Sequence, residues 1–94
     1  MSVYAIWESR FPPQTVEQGI GVTQAIWRDM PCFDGYVAHE LIQDLDQPGH
    51  LLVVSRWASR DAADAAMSYA SHSNARRADQ LVREPRRRTV GVRL

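Results

Sequence analysis

The chain has 94 residues, eleven arginines and no lysine against eleven acidic side chains, a formal net charge of zero, and one cysteine. That length supplies one domain (1–94) and too little for two ordinary cores, while neutrality argues against nucleic acid or an anionic membrane as the main partner. Cys32 alone neither closes an internal disulfide nor builds a zinc site, which points to a reducing compartment. The longest apolar run is about five residues, far below the ~20 that span a bilayer. No basic stretch followed by an apolar core opens the chain. A small cytoplasmic domain is the expectation.

Residues 3–9 are rich in β-branched and aromatic side chains and precede Pro12-Pro13, so they are expected to form a strand ended by a loop. One face carries Val3, Ala5, Trp7 and Ser9, the other Tyr4, Ile6 and Glu8. From Thr15 the period changes. Val16, Ile20, Thr23, Trp27 and Met30 step by 4, 3, 4 and 3, with Ile26 beside them, which draws one helical stripe. Thr15 and Gln18 fit a capping box, Gly19 and Gly21 each weaken the helix by about 1 kcal/mol relative to Ala, and Pro31 ends it. Cys32, beside Pro31, is read as a small buried hydrophobe.

Residues 36–43 are a second strand candidate and 51–57 the third and strongest, joined as a hairpin by the turn cluster from Asp44 to Gly49. Ser59 caps an Ala-rich helix from Arg60, with Ala63, Met67 and Ala70 on one side and Tyr69 at the edge of that stripe. Ser73 is placed to cap a second helix running to about Glu84, with Leu81 and Val82 as its apolar contacts. The run Arg86-Arg87-Arg88 is expected to be a solvated turn whose guanidiniums pair with acids such as Asp79 and Glu84; the sharper alternative is an anion-binding rim. Residues 89–94 close the chain as a strand.

The order β-α-β-β-α-β folds most simply into a four-stranded antiparallel sheet with the helices on one face, the ferredoxin-like α+β arrangement. At this size only roughly 60–70% of the unfolded chain's surface can be buried. The second face, carrying Trp and Leu side chains, is poorly suited to water. Two sheets closing face to face solve that problem, so a homodimer is expected on physical grounds.

Three stretches resemble the antibiotic-biosynthesis-monooxygenase family of dimeric α/β barrels. Met30 to Tyr36 is similar to the family's proline and glycine-aromatic turn before strand two. Asp46 to Val54 resembles its hairpin turn and third strand. Ser55 to Ala62 resembles its tryptophan, short polar turn and second helix. The resemblance implies a homodimeric barrel without cofactor, acting on a small aromatic or polyketide-type phenol, with the face of Trp57 looking into the cavity. The departures are specific: Ser55 stands where members often carry Glu, and Ala66 where many carry His. The Asn, Trp and His of haem-degrading relatives are missing, with Ala66 and Arg76 at the helical positions.

The site expected from these readings is lined by Trp7, Ser9, Val53, Ser55, Trp57 and Tyr69, between the sheet and the second helix. His39, in mid-strand on the face of Val37 and Leu41, is the candidate base, since a cofactor-free oxygenase must first make an electron-rich phenolate or enolate. His72, at a helix break, is the second candidate; equally, both histidines are ordinary packing or surface residues. Tyr36, Glu40 and Glu8 fall on the neighbouring faces. His50 belongs to an exposed turn, and the three histidines lack metal-ligand spacing. No glycine-rich loop follows a strand and no nucleophile motif is present, so no flavin, nicotinamide or metal is expected. Two other classes fit the same residues. One is a binding module without turnover. The other is an isomerase or decarboxylase of a small enolisable acid, with Arg86 to Arg88 as carboxylate clamp.

Overall fold

The computed structural model describes residues 2–67 and 73–94. Four strands, β1 (Val3–Arg10), β2 (Tyr36–Gln43), β3 (His50–Trp57) and β4 (Arg87–Val92), form one antiparallel sheet in the order β2-β3-β1-β4. The described residues add three α-helices, α1 (Val16–Arg28), α2 (Arg60–Met67) and α3 (Ser73–Leu81). This is the ferredoxin-like α+β fold. The Ala-rich stretch and the stretch from Ser73 are two helices occupying the place of one crossover, which preserves the topology. Among the described residues no helix is long and apolar enough to cross a membrane.

Strand alternation sorts the sheet cleanly. Val3, Ala5 and Ser9 of β1 and Leu51, Val53, Ser55 and Trp57 of β3 are buried beneath the helices, with Trp7 half-buried beside them. Tyr4, Ile6, Leu52 and Val54 point to the opposite face, which no helix covers. Exposed Ile42 of β2 extends that apolar strip beside Leu52. The core joins Val22, Ile26 and Trp27 of α1 and Met30 to Ala5, Val53 and Trp57 of the sheet.

Several local expectations change. The buried stripe of α1 is centred on Gly19, Val22, Thr23, Ile26 and Trp27, leaving Val16 and Ile20 at its border. Thr15 is the N-cap residue, yet its hydroxyl donates to the Leu81 carbonyl at 3.0 Å instead of closing a capping box, so it ties α1 to α3. Gly19 is required by packing: a Cβ there would stand 2.6 Å from the Phe11 ring. Ser59 caps α2 as expected, accepting from the Ala62 amide at 3.0 Å. The buried side of α2 is Ala63 and Ala66, while Met67 is exposed. Ala70 lies outside the described residues. Cys32 is a free, exposed thiol, because the short turn Met30–Cys32 buries Met30 and leaves the thiol facing water. β4 begins at Arg87 rather than at residue 89, so Arg87 and Arg88 are strand residues; Asp79 does pair with Arg86, at 2.6 Å, and Glu84 pairs with Arg10.

His50 is the largest local departure. It opens β3 with its side chain only 13% exposed, Nδ1 lying 2.9 Å from Asp44 Oδ2 and Nε2 2.8 Å from Glu8 Oε2. Asp44 also accepts from the Asp46 and Gln47 amides through Oδ1, which shapes the hairpin turn. The Asp44 hydrogen bond first, and the Glu8 bond second, raise the imidazole's proton affinity above its ordinary range; burial and, after it, the Arg10 charge oppose them. Asp44 is shifted down by the same bond. A histidine that holds its proton more tightly when folded stabilises the fold below its unfolded pKa of 6.5 and loses that contribution as pH rises through the higher folded value. The urea-midpoint advantage of the wild type over His50→Gln is therefore expected to be larger at about pH 6 than at about pH 9. A constant difference across that range would remove the imidazolium from the account.

Candidate functional site

The register of the helix-facing rows builds the site. Leu41, Val53, Trp7 and Arg88 stand opposite one another across the four strands, and His39, Ser55, Ala5 and Val90 form the next row. Trp57 ends β3 one row further, opposite Val3 and Tyr36. Helices α1, α2 and α3 close over these rows and leave a cavity of about 40 Å³. Its walls are largely apolar: the rings of Trp7, Trp27 and Trp57 with Ile26 and Met30, and alanines of the sheet, α2 and α3. Ser55, Arg86 and Arg88 add the polar groups.

The polar groups are fixed. Trp57 is 1% exposed, and its Nε1 donates to Ser55 Oγ at 3.0 Å, while that hydroxyl donates to the Ala5 carbonyl at 2.8 Å. A serine in mid-strand thus satisfies a buried indole and binds β1 in one chain of bonds. Arg86 lies with its guanidinium carbon 4.9 Å above the centroid of Trp7 and gives Nε to Asp79. Arg88 donates through Nη2 to the Ala63 carbonyl and to Asp64, both at 3.1 Å.

Of the residues expected at the site, Trp7, Ser55 and Trp57 meet at the cavity. Ser9 and Val53 share their sheet face without lining it. Tyr69 and His72 lie outside the described residues. His39 stands directly opposite Ser55, one strand outside the lining, with its ring centroid 5.2 Å from that of Trp27. A register shift between Tyr36 and Ala38 breaks the alternation of β2. As a result Tyr36 shares the helix side with His39 instead of facing away from it. Its hydroxyl lies 2.6 Å from His39 Nδ1, and its ring packs edge-on to Trp57 at 5.6 Å. Partial burial pushes the imidazole below its ordinary range. The neutral ring carrying its proton on Nε2 then accepts from the tyrosine. Glu8 and Glu40 belong to the open face, as strand alternation required.

Trp27, Ile26 and Met30 also line the cavity without having been among the expected site residues, and Arg86 and Arg88 line it as only the carboxylate-clamp alternative anticipated. Trp27 and Met30 belonged to the helical stripe, and the stripe's inward face is the cavity roof. Arg88 was legible in principle, since Arg88, Val90 and Val92 alternate as one strand face.

A ferredoxin-like sheet with an indole-walled cavity under its helices defines a small α+β pocket protein. The antibiotic biosynthesis monooxygenase family model matches residues 28–78, just over half of the chain, and the chain belongs to that family. Solved structures share the fold. Rv0793 from Mycobacterium tuberculosis is 20% identical with a TM-score of 0.82, over 100% of this chain and 96% of that one. PA3566 from Pseudomonas aeruginosa is 14% identical at 0.80, over 99% and 94%. SnoaB, a cofactor-independent oxygenase from Streptomyces nogalater solved as a mutant, is 18% identical at 0.71, over 98% and 92%. No curated protein matches the chain.

Replacing Ser55 with Ala strands the Trp57 N–H in an apolar interior. A loss of about 1–3 kcal/mol is expected in chemical denaturation, with a change in near-ultraviolet circular dichroism from the released indole. Unchanged stability would mean that the indole finds another acceptor.

Proposed function

We propose that this protein is a cofactor-independent monooxygenase that oxidises a small phenolic, quinol or polyketide-type aromatic with dioxygen in the cavity lined by Trp7, Ser55 and Trp57. The observation that carries this reading is the wall itself: three indole rings around one cavity match the flat apolar faces of an aromatic ligand. Family membership and the SnoaB fold support it. The reaction begins with loss of the phenolic proton, which makes the ring electron-rich enough to react with dioxygen. His39 is the proton acceptor in this reading. Tyr36, whose hydroxyl reaches His39 and whose ring rests on Trp57, relays the proton from the substrate hydroxyl to His39 in this reading. The depressed imidazole pKa keeps His39 neutral, and so basic, at neutral pH.

Oxygen consumption with hydroquinone or anthrone tests the activity. It is expected to rise with pH through a value below 6.5 and then level off. His39→Gln should lower the rate by about 10²-fold and flatten that rise. A folded protein that consumes no oxygen with these compounds would overturn the reading.

A binding module without turnover is the second reading. It is favoured by the place of His39 outside the cavity lining. Ligand binding without oxygen consumption would establish it.

The assembly proposed is a homodimer with the open sheet face as its interface. Tyr4, Ile6, Leu52, Val54 and Ile42 form an apolar strip there that no helix among the described residues covers. Light scattering is expected to give twice the 10.7 kDa chain mass, and Val54→Asp should return it to one chain. A monomeric wild type at micromolar concentration would refute the interface.

A further inference from the structure

Arg86 and Arg88 are the two charged groups in an otherwise apolar cavity lining. Their side chains are 12% and 16% exposed, whereas the carboxylates they meet, Asp79 and Asp64, are 54% and 44% exposed. Water therefore screens the negative partners much more than the guanidiniums, and the cavity keeps a positive bias. The geometry of Arg86 is more specific. Nε is spent on Asp79 and the plane is steadied against Trp7, while its Nη1 and Nη2 make no hydrogen bond to a described residue. That pair of donors is the end of the fork that grips a carboxylate through two parallel bonds. Trp7 and Arg86 also line an open groove of about 570 Å³ on the outer side, shared with Asp79, Val82, Arg83, Glu84 and Pro85; its two carboxylates are already paired, Asp79 with Arg86 and Glu84 with Arg10. Arg86 thus stands between the small, partly open cavity and a groove large enough for a ring.

We propose that Arg86, with Arg88 beside it, selects aromatic acids at this site: phenols whose ring carries a carboxylate next to the hydroxyl. The carboxylate takes the Nη pair of Arg86 from the groove side. The ring then lies in the groove against Trp7 with its hydroxyl toward the cavity, while Asp79 and Trp7 keep Arg86 in place. The nearby guanidiniums also favour the phenolate over the phenol, so the same cations that choose the substrate lower the cost of its first proton loss. This rests on the reading of the cavity as the substrate site.

Calorimetric titration with 2-hydroxybenzoate and with phenol tests it, since the two probes differ only in the carboxylate. The acid is expected to bind at least about tenfold more tightly. Arg86→Gln should collapse that preference to within about twofold, and Arg88→Gln reads the same quantity should the first variant not fold. Arg87→Gln, on the neighbouring residue that faces the opposite side of the sheet, should retain it. Phenol binding with no preference for the acid overturns the inference and leaves the cavity as a ligand site. A preference that survives Arg86→Gln and Arg88→Gln, or vanishes equally in Arg87→Gln, also overturns it. Binding of neither probe by the folded protein overturns both the inference and the reading beneath it.

Discussion

The single N–H of Trp57 is the constraint around which the sheet and the cavity are arranged. An indole is the largest apolar body a chain can bury, and its one donor must find an acceptor when water is removed. Here the acceptor is Ser55, two residues back on the same strand face, and Ser55 passes the obligation to the Ala5 carbonyl of β1. One side chain thereby joins β3 to the central strand at the site where the helices close. The position thus holds a neutral hydroxyl. A carboxylate in that place would bring charge into the wall, whereas serine leaves it neutral and moves the charge outward to the arginines.

The sheet distributes its tasks by row. β1 pairs with β3 on one side and β4 on the other, so Trp7 has Val53 on one flank and Arg88 on the other. That placement gives the cavity an apolar side toward β3 and a cationic side toward β4. It also holds His39 apart, because β2 is the far edge strand and Trp27 packs over it. Acid–base chemistry and charge selection, if both belong to this cavity, act from opposite edges of the same sheet.

Much of this arrangement was legible in the residues. Strand geometry grouped Leu51, Val53, Ser55 and Trp57 on one face of β3, although four consecutive apolar residues from Leu51 to Val54 did not say which face is buried, and Ser59 announced the start of α2 through ordinary capping chemistry. The misses have physical causes. Tyr36 could be placed with His39 only by knowing of the register shift after it, which no local pattern announces. Thr15 had the right composition for a capping box, but the distant Leu81 carbonyl offered its hydroxyl a better use. Three consecutive arginines read as solvent-facing because charge dominates any composition signal, yet strand alternation sends Arg88 inward and Arg87 outward. His50 carried the turn chemistry of its neighbours, while its two partners, six and forty-two residues away, could not be paired from spacing alone.

Trp7, Trp27 and Trp57 are all the tryptophans the chain possesses, and all three border one cavity. The molecule's near-ultraviolet emission is therefore a local property rather than an average over the fold. One of the three indoles, Trp27, has its ring centroid 5.2 Å from that of His39, an imidazole whose protonation converts it from a weak to a strong quencher. Light emitted by this protein is a readout of the electrical state of its interior, supplied by the native sequence without any label.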